Sequence, residues 1–273
     1  MITMYKEVIM VKLVIVDLDG TFLDDNKQMS PEFGKVFKAL KEKGVQFCAT
    51  SGRQLASIKE QFNGYEKDMI FIAENGSVVE VDGKIVHVEY LNREITDKIL
   101  ERIKSLKDDK KVIYCTKEYS YIDCLDDEQS RKNAELFLPK HKVVDNFDNI
   151  DELPVKFSIY SKDGYDSDFE KLVEEFGDVA TVCTSGFEWL DIIPKDSSKG
   201  TSIRKIQKMM GITSKETMAF GDQMNDFDML NSAYYSYAMD NAIDEVKQIC
   251  RFSAPSNNDY GVVKVLKEFF SID

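Results

Sequence analysis

Lys12 to Val16 reads Lys-Leu-Val-Ile-Val and stops abruptly at Asp17. An apolar, β-branched run of this kind belongs to a strand covered on both faces, so layers must pack above and below it. After a polar loop, Ser30-Pro31 supplies an N-cap and first-turn pair, and Phe33, Val36, Phe37 and Leu40 recur at helical spacing until Gly44. A second buried run, Val45 to Ala49, follows at once. Then come Thr50-Ser51-Gly52-Arg53, a helical stretch to Phe62 and a third apolar run from Met69 to Ala73. Strand, helix, strand, helix, strand predicts a parallel sheet.

The C-terminal third repeats the rhythm. Ile203, Ile206 and Met210 mark a helix closed by Gly211, Met218 to Phe220 a strand, Asp226 to Leu230 a short helix, and Val262 to Phe270 a terminal amphipathic helix. Between about Asp82 and Leu190 the texture changes to short alternating runs, among them Lys84–Tyr90, Val112–Cys115, Phe157–Tyr160 and Val179–Cys183. Two helical patterns, near Asn92–Leu106 and Asp166–Phe176, separate them. Half-exposed strands with helices on one face predict an antiparallel sheet. The fold class expected is therefore α/β, with a mainly parallel core sheet in residues 1–82 and 191–273 and an inserted α+β domain in residues 83–190, its junctions near Asp82-Gly83 and Ile192 to Pro194. Asp108 to Lys111 reads as a solvated charged loop.

At 273 residues the chain suits one large or two modest globular units. Its formal charge of −13 argues against nucleic acid, whose phosphates require a basic face. The opening run Val8 to Val16 is broken by Lys12 and is too short for a membrane span or a convincing signal peptide. A cytoplasmic protein without a membrane partner is expected, as a monomer or small homo-oligomer, starting at Met1 or at Met10. Cys48, Cys115, Cys124, Cys183 and Cys250 contain no C-x-x-C pair, which suggests neither a disulfide framework nor a zinc site. His87 and His141 lie far apart. Any chemistry must run on carboxylates, hydroxyls and amines.

Asp17-Leu18-Asp19-Gly20-Thr21 stands at the carboxyl end of the first strand, where an open α/β sheet places its ligand. Two carboxylates at i and i+2 can divide nucleophilic and proton-transfer roles and hold a divalent cation through hard oxygens, although an acidic loop would read the same way. Gly221-Asp222-Gln223-Met224-Asn225-Asp226 follows another strand end; alone it also reads as a turn and helix N-cap. Ser51-Gly52 offers a hydroxyl and backbone N–H groups at a helix start, suited to phosphate oxygens or to simple capping. Lys199, ahead of the helix containing Ile203, either brings an ammonium to that phosphate or is a surface lysine.

These motifs, in this order, resemble those of the haloacid dehalogenase superfamily of phosphotransfer enzymes. Together with Ser51-Gly52-Arg53 and Glu74-Asn75-Gly76 they look most like its Cof-type branch. The resemblance implies a Rossmann-like core and an aspartyl-phosphate chemistry. Asp17 would attack phosphorus, and Asp19 would protonate the leaving alkoxide, activate water and reach the metal through its carbonyl. Asp17 and Asp222, with Asp226, would hold Mg²⁺; Ser51 and Asn225 would orient phosphate; Lys199 would offset charge. Thr50 is the alternative hydroxyl to Ser51, which directly precedes Gly-Arg. Gly52 stands with Ser51 at the phosphate; Asn75, Glu74 and Arg53 are candidates at the hinge or site rim, Asn75 and Arg53 as substrate contacts, and Arg53 could equally pair with a carboxylate. Trp189 reads as a packing residue.

Residues 18–50 hold only a loop, a helix and a strand. A cap of roughly 100 residues fits only between Arg53 and Lys199, resembling the type IIB arrangement. A cap over the site excludes water and selects the organic half of the substrate. The expected function is a Mg²⁺-dependent phosphatase of small phosphorylated metabolites, sugar phosphates first, then flavin mononucleotide or pyridoxal phosphate. The alternatives are a phosphomutase of the phosphomannomutase type and a non-catalytic phosphometabolite sensor.

Overall fold

The computed structural model describes residues 10–106, 110–123, 128, 131, 132, 137–164, 167–184 and 188–273. Cys124, Asp108 and residues 1–9, including Met1, lie outside them. The chain begins with β1 (Leu13–Asp17), α1 (Phe33–Glu42), β2 (Gln46–Thr50), α2 (Leu55–Gln61), β3 (Met69–Ala73), β4 (Val78–Val81) and β5 (Lys84–Val88). It continues through α3 (Arg93–Ile103), β6 (Lys110–Cys115), β7 (Ser120–Ile122), β8 (His141–Val143), β9 (Lys156–Ser161), α4 (Ser167–Phe176), β10 (Ala180–Thr184) and β11 (Trp189–Pro194). It ends with α5 (Lys199–Met210), β12 (Thr217–Gly221), α6 (Phe227–Asn231), β13 (Tyr235–Met239), α7 (Asp244–Ile249), β14 (Phe252–Ala254) and α8 (Gly261–Phe270).

The larger sheet has the order β14-β13-β12-β1-β2-β3-β4-β5. It is parallel from β14 to β3 and antiparallel across β4 and β5. All five residues of β1 are buried, as its apolar run requires. From β1 the chain first builds outward through β2 and β3, then returns on the opposite side through β12 and β13. That reversal opens a crevice at the carboxyl ends of β1 and β12, the place where doubly wound sheets bind ligands. Helix α1 buries Phe33, Val36, Phe37 and Leu40, the stripe its spacing predicts. Phe33 meets Phe22 edge-on at 4.9 Å, one contact in an aromatic group with Phe47 and Phe62 that locks the helix to the sheet.

The smaller sheet has the order β10-β11-β9-β6-β7-β8 and is antiparallel except for the β7–β8 pair. One face packs Tyr114, Phe157, Ile159, Leu190 and Ile192 against Ile99 of α3 and Phe169 and Leu172 of α4. Because strand side chains alternate, Ile113, Cys115, Lys156, Ser158 and Asp191 point the other way. Ile113 and Cys115 join the apolar cluster of the larger sheet, so this face looks at the crevice.

Sheet membership moves the expected division. Asp82-Gly83, taken as the first junction, is the turn of the β4–β5 hairpin, with φ of 50° and 73°. Both strands belong to the larger sheet, so the crossing comes after Val88 rather than at residue 83. The return, expected near Ile192 to Pro194, comes at the end of β11, a strand of the smaller sheet whose last residue is Pro194, so the larger-sheet unit resumes there rather than at residue 191. A tight turn and a junction share Gly and Asp, which is why the texture of the sequence misplaced the boundary.

Candidate active site

Strand β1 delivers Asp17 to the crevice, and the turn after it is shaped by Gly20, whose φ is 80°. A Cβ at Gly20 would stand 2.5 Å from Asp222 Oδ2, so the missing side chain is what lets the two motifs meet. Thr21 strengthens the meeting by donating its hydroxyl to Asp222 Oδ1 at 2.6 Å. At the end of β12, Asp226 accepts the Asp222 N–H at 3.0 Å and the Gln223 N–H at 3.2 Å through Oδ2. Oδ2 ties the turn, and Oδ1 faces the site.

Lys199 is the first residue of α5, whose N-cap Ser198 forms a reciprocal capping box with Thr201. Its ammonium lies 2.5 Å from Asp17 Oδ1 and 2.6 Å from Asp226 Oδ1, and the residue is 1% exposed. Asp17, Asp222 and Asp226 gather their carboxylates within 4.8 Å of one another, all buried. Burial, then the Asp226 charge, push the Asp17 carboxyl well above its ordinary range against the pull of Lys199. The same two causes raise Asp222 to about 6. Burial works against the Lys199 ammonium, but Asp17 and Asp226 outweigh it and hold its pKa above the usual lysine value.

Three buried carboxylates facing one ammonium leave an excess of negative charge. A hard divalent cation with oxygen preference is the species that offsets it, so the residues present fit Mg²⁺. The Asp19 carboxylate is not part of this cluster. Arg53 binds it at two points, Nε at 2.7 Å and a second guanidinium nitrogen, and Lys27 adds a contact at 2.8 Å. Burial works to raise the Asp19 carboxyl, yet Arg53 and then Lys27 prevail and hold it below the ordinary range. Of the expected metal set, then, Asp19 has only its main chain to offer.

Ser51 and Gly52 sit beyond β2, but α2 starts only at Leu55 with Gln54 as its N-cap, so they form a loop rather than a helix terminus. The Ser51 hydroxyl accepts the Arg53 N–H at 3.1 Å. Thr50 turns its hydroxyl into the core toward Met229 sulfur at 3.5 Å, leaving Ser51 as the loop hydroxyl. Glu74 and Asn75 both adopt left-handed backbone, φ 52° and 55°. Their N–H groups donate to Arg53 O and Ser51 O, each at 3.1 Å, which fastens the two loops together. Asn225 donates to Asn75 Oδ1 at 3.3 Å, bringing the rim candidate and the phosphate candidate side by side. Gly76, with φ 110°, leaves room for the Ser198 carbonyl; a Cβ there would lie 2.2 Å from it. Trp189 is half-buried and packs on Tyr160 with ring centroids 4.9 Å apart.

Sequence reasoning missed Lys27, Gln54, Lys156 and Asp191. Lys27 holds Asp19, and its own φ is 61°. Gln54 reaches the smaller-sheet unit, donating to the Lys140 carbonyl and accepting its N–H, each at 3.0 Å. Lys156 heads β9 and Asp191 interrupts the apolar run of β11, and a charge at each of these strand positions was the available signal.

The comparisons with known proteins bear on the whole chain. A family model described as haloacid dehalogenase-like hydrolase matches residues 14–266. The phosphatase YbjI of Escherichia coli is 32% identical, over 94% of this chain and 95% of its own. YitU of Bacillus subtilis is 26% identical over 95% and 98%. A crystal structure of SMU.1108c from Streptococcus mutans superposes with a TM-score of 0.88 at 26% identity, covering 96% of this chain and 99% of that one. With the motifs gathered in one crevice and the match running almost end to end, the chain belongs to the haloacid dehalogenase-like hydrolases.

Proposed function

We propose that this hydrolase is a Mg²⁺-dependent phosphomonoesterase of small phosphorylated metabolites, with the smaller-sheet unit as its cap. The observation that carries the reading is the Asp17 carboxylate, fixed by Lys199 at 2.5 Å inside a cluster of buried carboxylates at a sheet crevice. In this reading Asp17 attacks phosphorus, the P–O bond to the alcohol breaks, and an aspartyl-phosphate forms on the chain. The departing alkoxide takes a proton from Asp19, which must first leave Arg53 and acquire that proton. Asp19 then draws a proton from water as the water attacks phosphorus, and Asp17 and inorganic phosphate are released.

Ser51, the loop N–H groups around Gly52, and Asn225 orient the phosphoryl oxygens, while Lys199 neutralises charge that moves onto them. Asp17, Asp222 and Asp226 would hold Mg²⁺, which would add charge neutralisation at the transferring group. Two relatives support the substrate class. YbjI and YitU are named phosphatases of 5-amino-6-(5-phospho-D-ribitylamino)uracil, a primary phosphate on a five-carbon polyol that carries a heterocycle. A sugar or polyol phosphate with a ring at its far end suits a cap that reads the organic half.

The test is a panel of such esters, with simple sugar phosphates, flavin mononucleotide and pyridoxal phosphate alongside, assayed for inorganic phosphate with and without Mg²⁺. Release from the polyol and sugar esters only with the metal is the expected result. Phosphate that stays on the sugar and moves between positions on adding a bisphosphate would assign a mutase instead, and binding without release across the panel would assign a sensor.

A further inference from the structure

Beside the site, buried polar bonds cross between the two sheets. Lys156 opens β9 and is 5% exposed; its ammonium donates to the Gly52 carbonyl at 2.6 Å and lies 2.8 Å from Glu74 Oε2. Asp191 of β11, 1% exposed, accepts the Asn75 amide at 2.6 Å and the Ser158 hydroxyl, and stands 3.8 Å from Lys156. Their partners on the larger-sheet side are not arbitrary. Gly52 lies between Ser51 and Arg53, and Asn75 receives Asn225. The loops at 51–53 and 74–76 are bonded to each other, and Gly76 abuts the Ser198 carbonyl one residue before Lys199. Ser51, Gly52 and Asn225 are therefore each one or two steps along the chain or its contacts from Lys156 or Asp191, and Lys199 lies at the end of the same chain of contacts. Neither residue touches Asp17, Asp222 or Asp226 in the contacts described.

We propose that Lys156 and Asp191 are positioning residues that assemble the phosphate pocket when the cap is closed, by clamping Gly52 and Asn75. This rests on the phosphatase reading above. Their polar atoms are engaged within the protein, so they do not recognise the substrate themselves. Charge also suits a contact that must open. An apolar pair of similar volume would hold a static interface at least as well. On opening, however, the ions regain hydration, whereas an apolar latch would expose its surface to water and resist. Closure that completes a catalytic constellation is a common use of a mobile cap.

The experiment uses the full-length chain with Lys156→Met and Asp191→Asn, singly and combined. It measures turnover of p-nitrophenyl phosphate with Mg²⁺ and amide hydrogen exchange across residues 51–53 and 74–76. Displaced positioning groups cost about ten- to a hundred-fold in rate. The expected result is a kcat loss of that order with a smaller change in KM, and faster exchange confined to those two loops. The double variant should be no worse than the poorer single one, because both act on one pocket. Unchanged kcat and unchanged exchange in both loops would overturn the proposal, as would a loss that tracks only a fall in melting temperature. Should Lys156→Met fail to fold, the near-isosteric Asp191→Asn carries the test. A wild-type chain inert toward every phosphomonoester would overturn the phosphatase reading instead, and the exchange measurement would then decide the clamp alone.

Discussion

Arg53 grips the Asp19 carboxylate at two points while its guanidinium lies 4.9 Å over the ring of Phe137, a residue of the inserted segment. The group expected to move protons is thus held ionised by a cation that the cap itself covers. That state is suited to drawing a proton from water and unsuited to giving one, so the proposed mechanism requires release of Asp19 from Arg53.

Arg53→Met removes the cation that most lowers the Asp19 carboxyl. Its pKa rises toward the ordinary range, so the alkaline limb of kcat/KM moves to higher pH, because the protonated Asp19 that serves the leaving alkoxide then persists further up the pH scale. Acid–base groups contribute about 10² to 10⁴ to rate, and a loosened one loses about ten- to a hundred-fold of it at neutral pH. A pH–rate profile beside the wild type checks this; an unmoved alkaline limb contradicts it.

Lys199→Met leaves Asp17 and Asp226 without their shared ammonium. Breaking a buried ion pair by removing one partner costs about 3–5 kcal/mol, and losing one charge-stabilising donor costs about 10² to 10³ in kcat. Chemical denaturation in EDTA should show the larger stability loss, with Mg²⁺ restoring part of it. A variant as stable and as active as the wild type contradicts the account.

Gly76→Ala places a methyl 2.2 Å from the Ser198 carbonyl at a backbone φ of 110°. Overpacking of this kind costs about 1–3 kcal/mol. Since the displaced backbone leads into Lys199, turnover should fall further than stability alone explains. Gly44→Ala, whose site is open though its φ is also positive, is the matched control. Denaturation midpoints and kcat measured for both variants separate the two effects.

Adding Mg²⁺ to metal-free protein should raise its melting temperature, because the cation binds the folded carboxylate cluster and not the unfolded chain. At a hundred times the dissociation constant the gain is about 2.7 kcal/mol. Asp222→Asn should abolish most of that gain while raising the metal-free melting temperature, since a crowded carboxylate is removed. A Mg²⁺ shift of equal size in both proteins contradicts the assignment.

The core of the fold was legible because its signals are local. An apolar run such as Leu13–Val16 has no exposed edge to offer, and α1 shows its buried stripe at every helical turn. Asp17, Asp222, Asp226 and Lys199 were legible because each stands at an element boundary, and the sheet order brings the ends of β1 and β12 together. What sequence could not show was orientation. Asp17 and Asp19 are two residues apart, yet one joins the carboxylate cluster and the other turns to Arg53 and Lys27. Nor could it show partners across the chain, such as Lys156 with Glu74 or Asp191 with Asn75, which depend on how the smaller sheet faces the larger. The misplaced boundary at residue 83 has the same origin, because a hairpin and a linker use the same turn residues.

The central claim is that Asp17 is the group phosphorylated during turnover, and Asp17→Asn tests it most directly in the Mg²⁺ panel assay with a melting curve on the same preparation. The change nearly preserves shape and relieves carboxylate crowding, so the melting temperature should hold or rise. Loss of a nucleophile removes about four to six orders of magnitude of rate. Turnover at background with an intact fold is the predicted result; a folded Asp17→Asn protein that still releases phosphate at a substantial fraction of the wild-type rate would contradict it.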